Sequence, residues 1–231
     1  MKHLLASICL LWMATNAIAQ KREIIPVDWQ QVKKEVTDNP QHVKDLIARL
    51  SADQIDTTLT RQERILAFYG QSFLTNDTEE ELAFDLNKLS KEKSLHERLS
   101  TAKKMLGVNP LNLNALMSAC NILLELSEDS VSSKESMMAE AEKYFDRAMR
   151  IFSTIAKTGD GSEAHPFYVT KISDEYCFMR YYLELWEYKM QWATACCDVI
   201  ALETTSKYYS KPTIHFEISR VYELEHQKFS K

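Results

Sequence analysis

The residues most able to do chemistry are the adjacent carboxylates of Asp174 and Glu175, followed at once by Tyr176. Two acids beside a phenol can serve as general acid and base when a cleft holds them and their environments push their pKa values apart. The segment reads as the end of one strand and the start of an aromatic run. Neighbouring residues on a strand point to opposite faces, so the two carboxylates would not address one substrate. The expectation is a turn that caps and aims the next element. Glu79-Glu80-Glu81 stands at a helix start, where negative charge meets the positive end of the helix dipole, and reads as capping. The histidines His42, His96, His165, His215 and His226 are scattered, with no His-Glu-x-x-His and no pair four apart. His42 and His96 lie among polar helical neighbours, and His215 alternates outward between Ile214 and Phe216. There is no Gly-x-Ser-x-Gly elbow, phosphate-cradling loop or dinucleotide fingerprint, and 4 glycines cannot build most such loops. No catalytic, cofactor-binding or metal-binding set can be named, and no cofactor is expected.

The cysteines raise a separate question. Cys120 falls on the apolar face of a helix and reads as a buried thiol. If 176–186 and 191–203 form a hairpin turning near Glu187-Tyr188, Cys177 falls opposite Cys196 or Cys197, and a cross-strand disulfide with either becomes an expectation. The adjacent pair Cys196-Cys197 is a poor zinc clamp, since two cysteines of a tetrahedral site are usually spaced by two to four residues.

Several kinds of element must position these groups. Residues 1–19 have the layout of a secretory signal peptide: Met1-Lys2-His3, an apolar stretch from Leu4 to Met13 broken only by Ser7, then Ala17-Ile18-Ala19. The apolar stretch is far shorter than the ~20 residues a membrane anchor needs. Cys9 follows Ile8 inside that stretch, which does not suit lipidation. A product exported to the periplasm or beyond, with no transmembrane anchor, is expected. The formal net charge of −5 at pH 7, without a basic block, argues against nucleic acid as a partner.

Residues 20–157 read as a helical-hairpin region. Asp28 with Gln31, Thr60 with Glu63, Thr78 with Glu81 and Ser94 with Glu97 are capping-box patterns, and Asn39-Pro40 is a cap followed by Pro at the first helical position. Apolar residues follow each at helical spacing, as in Val43, Leu46, Ile47 and Leu50. Gly107 is placed to end a helix, and the polar stretch 127–136 is a loop. A long helix then carries Met138, Ala141, Phe145, Ala148, Phe152 and Ile155 on one face. "AEKYFDRAMRIF" at 141–152 resembles the second helix of a tetratricopeptide-type hairpin, although the spacing between hairpins exceeds the usual ~34 residues. Residues 158–231 form a β-containing region packed on the helices. Strands are expected at 167–172, 198–203 and 213–219, with 176–190 read as strand from its aromatic density. The fold class is α+β, predominantly α: tetratricopeptide-like helical hairpins followed by a small C-terminal antiparallel sheet.

"TGDGSEAHPFYVTKISDEYCF" at 158–178, "CCDVIAL…TIHFEIS" further on, and "TLTRQERILAFYGQSF" at 58–73 together resemble an uncharacterised bacterial exported family, the domain of unknown function numbered 4919. The likeness spans about residues 25–220. It marks Gly159, Asp160, Gly161, Asp174, Glu175 and Tyr176 as family-motif positions of unassigned role. Ala67-Phe68-Tyr69-Gly70 departs from the tyrosine-rich run expected there. The resemblance implies the helices-then-strands layout and brings no activity, cofactor or catalytic residue. The functional expectation is a non-enzymatic module of the cell envelope that binds a secreted or envelope protein or peptide. The alternative is a small hydrolase or ligand-binding enzyme working through Asp174, Glu175 and Tyr176, and a structural envelope protein is a third reading.

Overall fold

The structure, a computed structural model, describes residues 23–229 apart from 77, 80, 84, 85, 87–93 and 129–131. The signal segment 1–19, Glu80, Leu89 and the middle of the 127–136 loop lie outside the described residues.

The helical part follows its caps. Helix α1 (Trp29–Asp38) starts where Asp28 accepts a hydrogen bond from the Gln31 amide at 3.0 Å. Helix α2 (Pro40–Ser51) begins at Pro40, but the Asn39 side chain turns back to Glu35 and leaves the helix start uncapped. Helices α3 (Arg61–Thr75) and α4 (Leu95–Val108) both open on complete capping boxes, from Thr60/Glu63 and Ser94/Glu97. Gly107 does not end α4: the helix runs one residue further and closes where the Asn109 amide donates to Met105. Helices α5 (Leu113–Glu128) and α6 (Lys134–Thr158) then make the most extensive helix–helix packing in the molecule. On α6, Ala141, Ala148, Phe152 and Ile155 are buried as the spacing predicts, whereas Met138 and Phe145 are exposed.

Beyond α6 come strand β1 (Phe167–Tyr168), helix α7 (Ile172–Tyr181), strands β2 (Tyr188–Ala193), β3 (Cys197–Leu202) and β4 (Thr213–Glu217), and helix α8 (Ser219–Phe229). The sheet has the order β1-β4-β3-β2. Strands β3 and β4 pair antiparallel with Ile200 opposite Ile214, as their alternation suggests. Three expectations are corrected. The sheet is mixed rather than antiparallel, because β1 runs parallel to β4. The first strand is only two residues long. Most of 176–190 is not strand: residues up to Tyr181 belong to α7 and β2 begins only at Tyr188. Phe178 and Tyr182 stand one turn apart and stack at 5.1 Å, while Phe178 meets Phe167 of β1 edge-on at 4.9 Å. Aromatic density marks a buried face, and it does not choose the period on which that face repeats.

One hydrophobic cluster runs from Val27 to Val221 and takes residues from helices and sheet alike. Polar contacts cross it. The Trp29 indole donates to Glu217 at 2.9 Å, and the Tyr69 hydroxyl donates to the Tyr168 carbonyl at 2.8 Å. Arg220, only 1% exposed, reaches from α8 to the C-terminal end of α3. It donates to the Ser72 carbonyl at 2.8 Å, to Asn76 at 3.3 Å and to Glu223 at 2.7 Å, and its guanidinium lies 3.8 Å from the Phe73 ring centroid.

Removing Arg220 strands a buried carbonyl and leaves a side-chain-sized void. Arg220→Ala is expected to lower the unfolding free energy by about 3 kcal/mol, read as a lower urea midpoint at unchanged slope. Arg220→Lys keeps the charge but loses the planar fork, so it should recover only part of that. An Ala variant within about 0.5 kcal/mol of the parent would rule out a structural role for the clamp.

Candidate functional site

The Gly-Asp-Gly motif lies where α6 gives way to the loop before β1. A Cβ on Gly159 would stand 2.0 Å from the Pro166 carbonyl oxygen, so the chain passes too close for any side chain. Gly161 has a φ of +72°, and a Cβ there would meet the Tyr209 hydroxyl and the Phe167 ring. The Gly161 carbonyl accepts from the His215 amide at 3.0 Å and lies 2.9 Å from the Tyr209 hydroxyl. Two of the three motif residues are thus architectural, and they hold Asp160 between them. The Asp160 carboxylate accepts from the Ser162 amide and hydroxyl and pairs with Lys211 at 2.9 Å. Burial opposes its ionisation, but Ser162 and the Lys211 ammonium outweigh burial and hold the group down at about 2.

Asp160 and Lys211 line a cleft of about 800 Å³. One wall is α6, whose Phe145, Met149, Ser153 and Lys157 recur every four residues and so share a face. The opposite wall is the end of α7, with Tyr181 and Tyr182, and the loop 203–212 supplies Tyr208, Tyr209 and Lys211. Tyr208 is 56% exposed and Phe145 40% exposed, so the walls present aromatic surface to solvent. Glu184 forms part of the lip in a left-handed conformation, φ +55°, and pairs with Lys207 at 3.4 Å. The Ser206 hydroxyl donates to the Leu183 carbonyl and ties the loop to the end of α7. Tyr181 also packs edge-on against Trp186 at 6.1 Å, which extends the aromatic surface out of the cleft. From there Trp186, Tyr188, Met190 and Trp192 continue as exposed side chains along β2, the end strand of the sheet.

Asp174, Glu175 and Tyr176 lie elsewhere. They sit in the first turns of α7, and both carboxylates point inward, contrary to the opposite-faces expectation for a strand. Asp174 accepts from the Thr170 amide at 3.2 Å and hydroxyl at 2.8 Å, which joins β1 to α7. Glu175 is fully buried, and neither of its oxygens nor Oδ1 of Asp198 meets a protein donor. Its carboxyl lies within hydrogen-bonding reach of Asp198. Burial first, then the neighbouring charges of Asp198 and Asp174, push Glu175 up to about 10. A protonated Glu175 that donates to Oδ1 of Asp198 partners two of these three oxygens and avoids two like charges in a dry site. The other Asp198 oxygen accepts from Gln191, whose carbonyl oxygen accepts from the Tyr176 hydroxyl. This chain of groups links α7 to β2 and β3, and none of its members lines the cleft.

Glu79 does more than cap. It is fully buried, pairs with Lys171 at 2.9 Å and accepts from Asn109 at 2.6 Å. The hairpin expected to bring Cys177 opposite Cys196 or Cys197 does not form. Cys177 is on α7, where burial pushes its thiol up to about 12, and Cys120, Cys177, Cys196 and Cys197 are all free thiols. The tyrosines of the cleft escaped sequence reading. Their available signal is the doubled Tyr181-Tyr182 and Tyr208-Tyr209, the first pair lying in the stretch that the aromatic density assigns to a strand. Among the described residues no group of three or more His, Cys, Asp or Glu side chains is placed to hold a metal ion, and no helix is long and apolar enough to cross a membrane.

A family model described as Domain of unknown function (DUF4919) matches residues 30–227. No curated protein and no solved structure matches the chain.

The buried acid gives a pH test. Its folded value of about 10 lies above the ordinary 4.5, so its contribution to stability is full below about pH 4.5 and is lost as pH rises toward about 10. Glu175→Gln keeps a donor for Asp198 and removes the titration. Between about pH 5 and about pH 9 the parent should lose more than about 1 kcal/mol of unfolding free energy relative to the variant. Parallel pH profiles for the two proteins would refute the shared proton.

Proposed function

The chain belongs to the DUF4919 family, and from that premise we propose that it is exported and acts in the cell envelope as a non-enzymatic module binding an extended segment of a protein or peptide. The observation that carries this reading is the aromatic cleft between α6, α7 and the loop 203–212. Its volume of about 800 Å³ falls within the range of small ligand sites. Tyrosine supplies large apolar contact area at low conformational cost and a hydroxyl at its tip, a combination typical of surfaces that bind peptides and proteins. The cleft is continuous with Trp186 through Tyr181, so a chain longer than the cleft itself finds further aromatic surface on leaving it. Asp160 and Glu184, the carboxylates that line it, are each paired with a lysine. That arrangement suits the recognition of backbone and side-chain polar groups. A hydrolase would instead need a free base facing the substrate. Asp174 and Glu175, the residues of the enzymatic alternative, face the interior.

Two experiments test the two halves of the reading. The protein spanning residues 20–231 is used to select peptides from a random library. Tyr181→Ala/Tyr208→Ala should weaken binding of the selected peptides by about tenfold or more, near 1.4 kcal/mol, while unfolding stays cooperative with a midpoint lowered by loss of the Tyr181 contacts to Trp186 and Asn121. Equal affinity for parent and double variant would remove the cleft from the account. For export, N-terminal sequencing of the product made from the full chain in a bacterial host should begin at Gln20. An intact, cytoplasmic Met1 product would end that half of the proposal.

A further inference from the structure

Adjacent residues on a regular strand send their side chains to opposite faces, so neighbouring cysteines there do not meet. Cys196 and Cys197 are an exception. Cys197 opens β3, while Cys196 is in the bend between β2 and β3, and their sulfurs face each other at 3.4 Å. The backbone on both sides is pinned. The Thr194 amide donates to the Cys197 carbonyl at 2.7 Å, and the Cys197 amide donates to the Thr194 hydroxyl oxygen at 3.1 Å. The Cys196 carbonyl accepts from the Ile218 amide at 3.0 Å. Cys196 is exposed and Cys197 buried, while the other cysteines among the described residues, Cys120 and Cys177, are both buried.

We propose that Cys196 and Cys197 form a redox-active dithiol that closes to a vicinal disulfide on meeting a disulfide oxidant. The exposed Cys196 reacts first. Its thiol gives up a proton, and the thiolate attacks one sulfur of the oxidant, breaking that S–S bond and releasing one thiolate. Cys197 then loses its proton and attacks Cys196 Sγ. The bond between the two protein sulfurs forms, the mixed disulfide breaks, and the second oxidant thiolate leaves. Two electrons pass from the protein pair to the oxidant, and the two released protons complete its two thiols. The order follows from access, since Cys197 is packed under the bend. Burial, Cys196 and the carboxylates of Glu217 and Glu163 push its thiol up to about 12, which makes it the slower nucleophile. Closing from 3.4 Å to a bond of about 2 Å requires the two side chains and the peptide between them to turn against the hydrogen bonds that flank the bend. The bend is also where β2 turns back, so closure would act at the root of the strand that carries the exposed Met190 and Trp192. This inference is independent of the binding role assigned to the cleft.

Peptide mapping tests it directly. Cleavage after Lys189 and Lys207 yields peptide 190–207, which holds Cys196 and Cys197 and no other cysteine. The folded protein spanning residues 20–231 is treated with glutathione disulfide, denatured, alkylated with N-ethylmaleimide and digested. Peptide 190–207 should be two hydrogens lighter than its reduced form and unalkylated, while Cys120 and Cys177 carry the label. In Cys197→Ser the second step is missing, so glutathione should stay attached to Cys196. A doubly alkylated peptide after oxidation would overturn the proposal. So would a stable glutathione adduct on the parent protein, or a Cys196-linked dimer as its main product.

Discussion

The placement of helix α7 depends on Phe178. Its ring is fully buried and lies within 4.9 to 6.3 Å of the rings of Phe167, Phe152 and Phe216, which belong to β1, α6 and β4, and of Tyr182, which caps α7. Burying such a side chain stabilises by about 1.5–3 kcal/mol, and each aromatic pair adds about 0.5–1.5. With that ring in place the rotation of the helix is determined. Tyr181 and Tyr182 face the cleft, and Glu175 is turned toward the sheet. The same contact that creates the binding surface therefore withdraws the carboxylates from solvent.

The polar groups that come inside with these elements are handled in different ways. Arg220 and Trp29 find acceptors on segments far away in sequence, and Glu79 finds a lysine and an amide. Among the described residues no donor meets the Glu175 carboxyl, and a proton serves instead. Desolvating a lone carboxylate is far more costly than keeping it neutral, so the pair Glu175–Asp198 carries one charge where two would repel. Each of these groupings joins separate segments of the chain, and its partners are satisfied only when both are docked.

The six positions that carry the sequence resemblance divide by role. Gly159 and Gly161 let two stretches of backbone approach, Asp174 joins β1 to α7, and Glu175 and Tyr176 lock α7 to β2 and β3. Of the six, Asp160 lines the cleft. The cleft itself is built from tyrosines at the end of α7 and on the loop 203–212.

The capping boxes at Thr60 and Ser94 were legible because each is a set of hydrogen bonds closed within four residues, and the alternation of β3 and β4 was legible because half-burial repeats every second residue. The family itself was legible from three stretches of motif. By contrast, the aromatic run after Tyr176 fits a helix face or a strand equally well until Phe152, Phe167 and Phe216 surround it. Whether β1 pairs parallel or antiparallel depends on where the chain returns some 50 residues later. That Glu175 keeps a proton, and that Cys196 faces Cys197, are properties of surroundings that no local window contains. The amino-acid order alone determined where most helices begin and which segments seek burial, since those are short-range matters. Tertiary packing decided which side chains share a cleft, because burial and field at a residue come from segments distant in the chain.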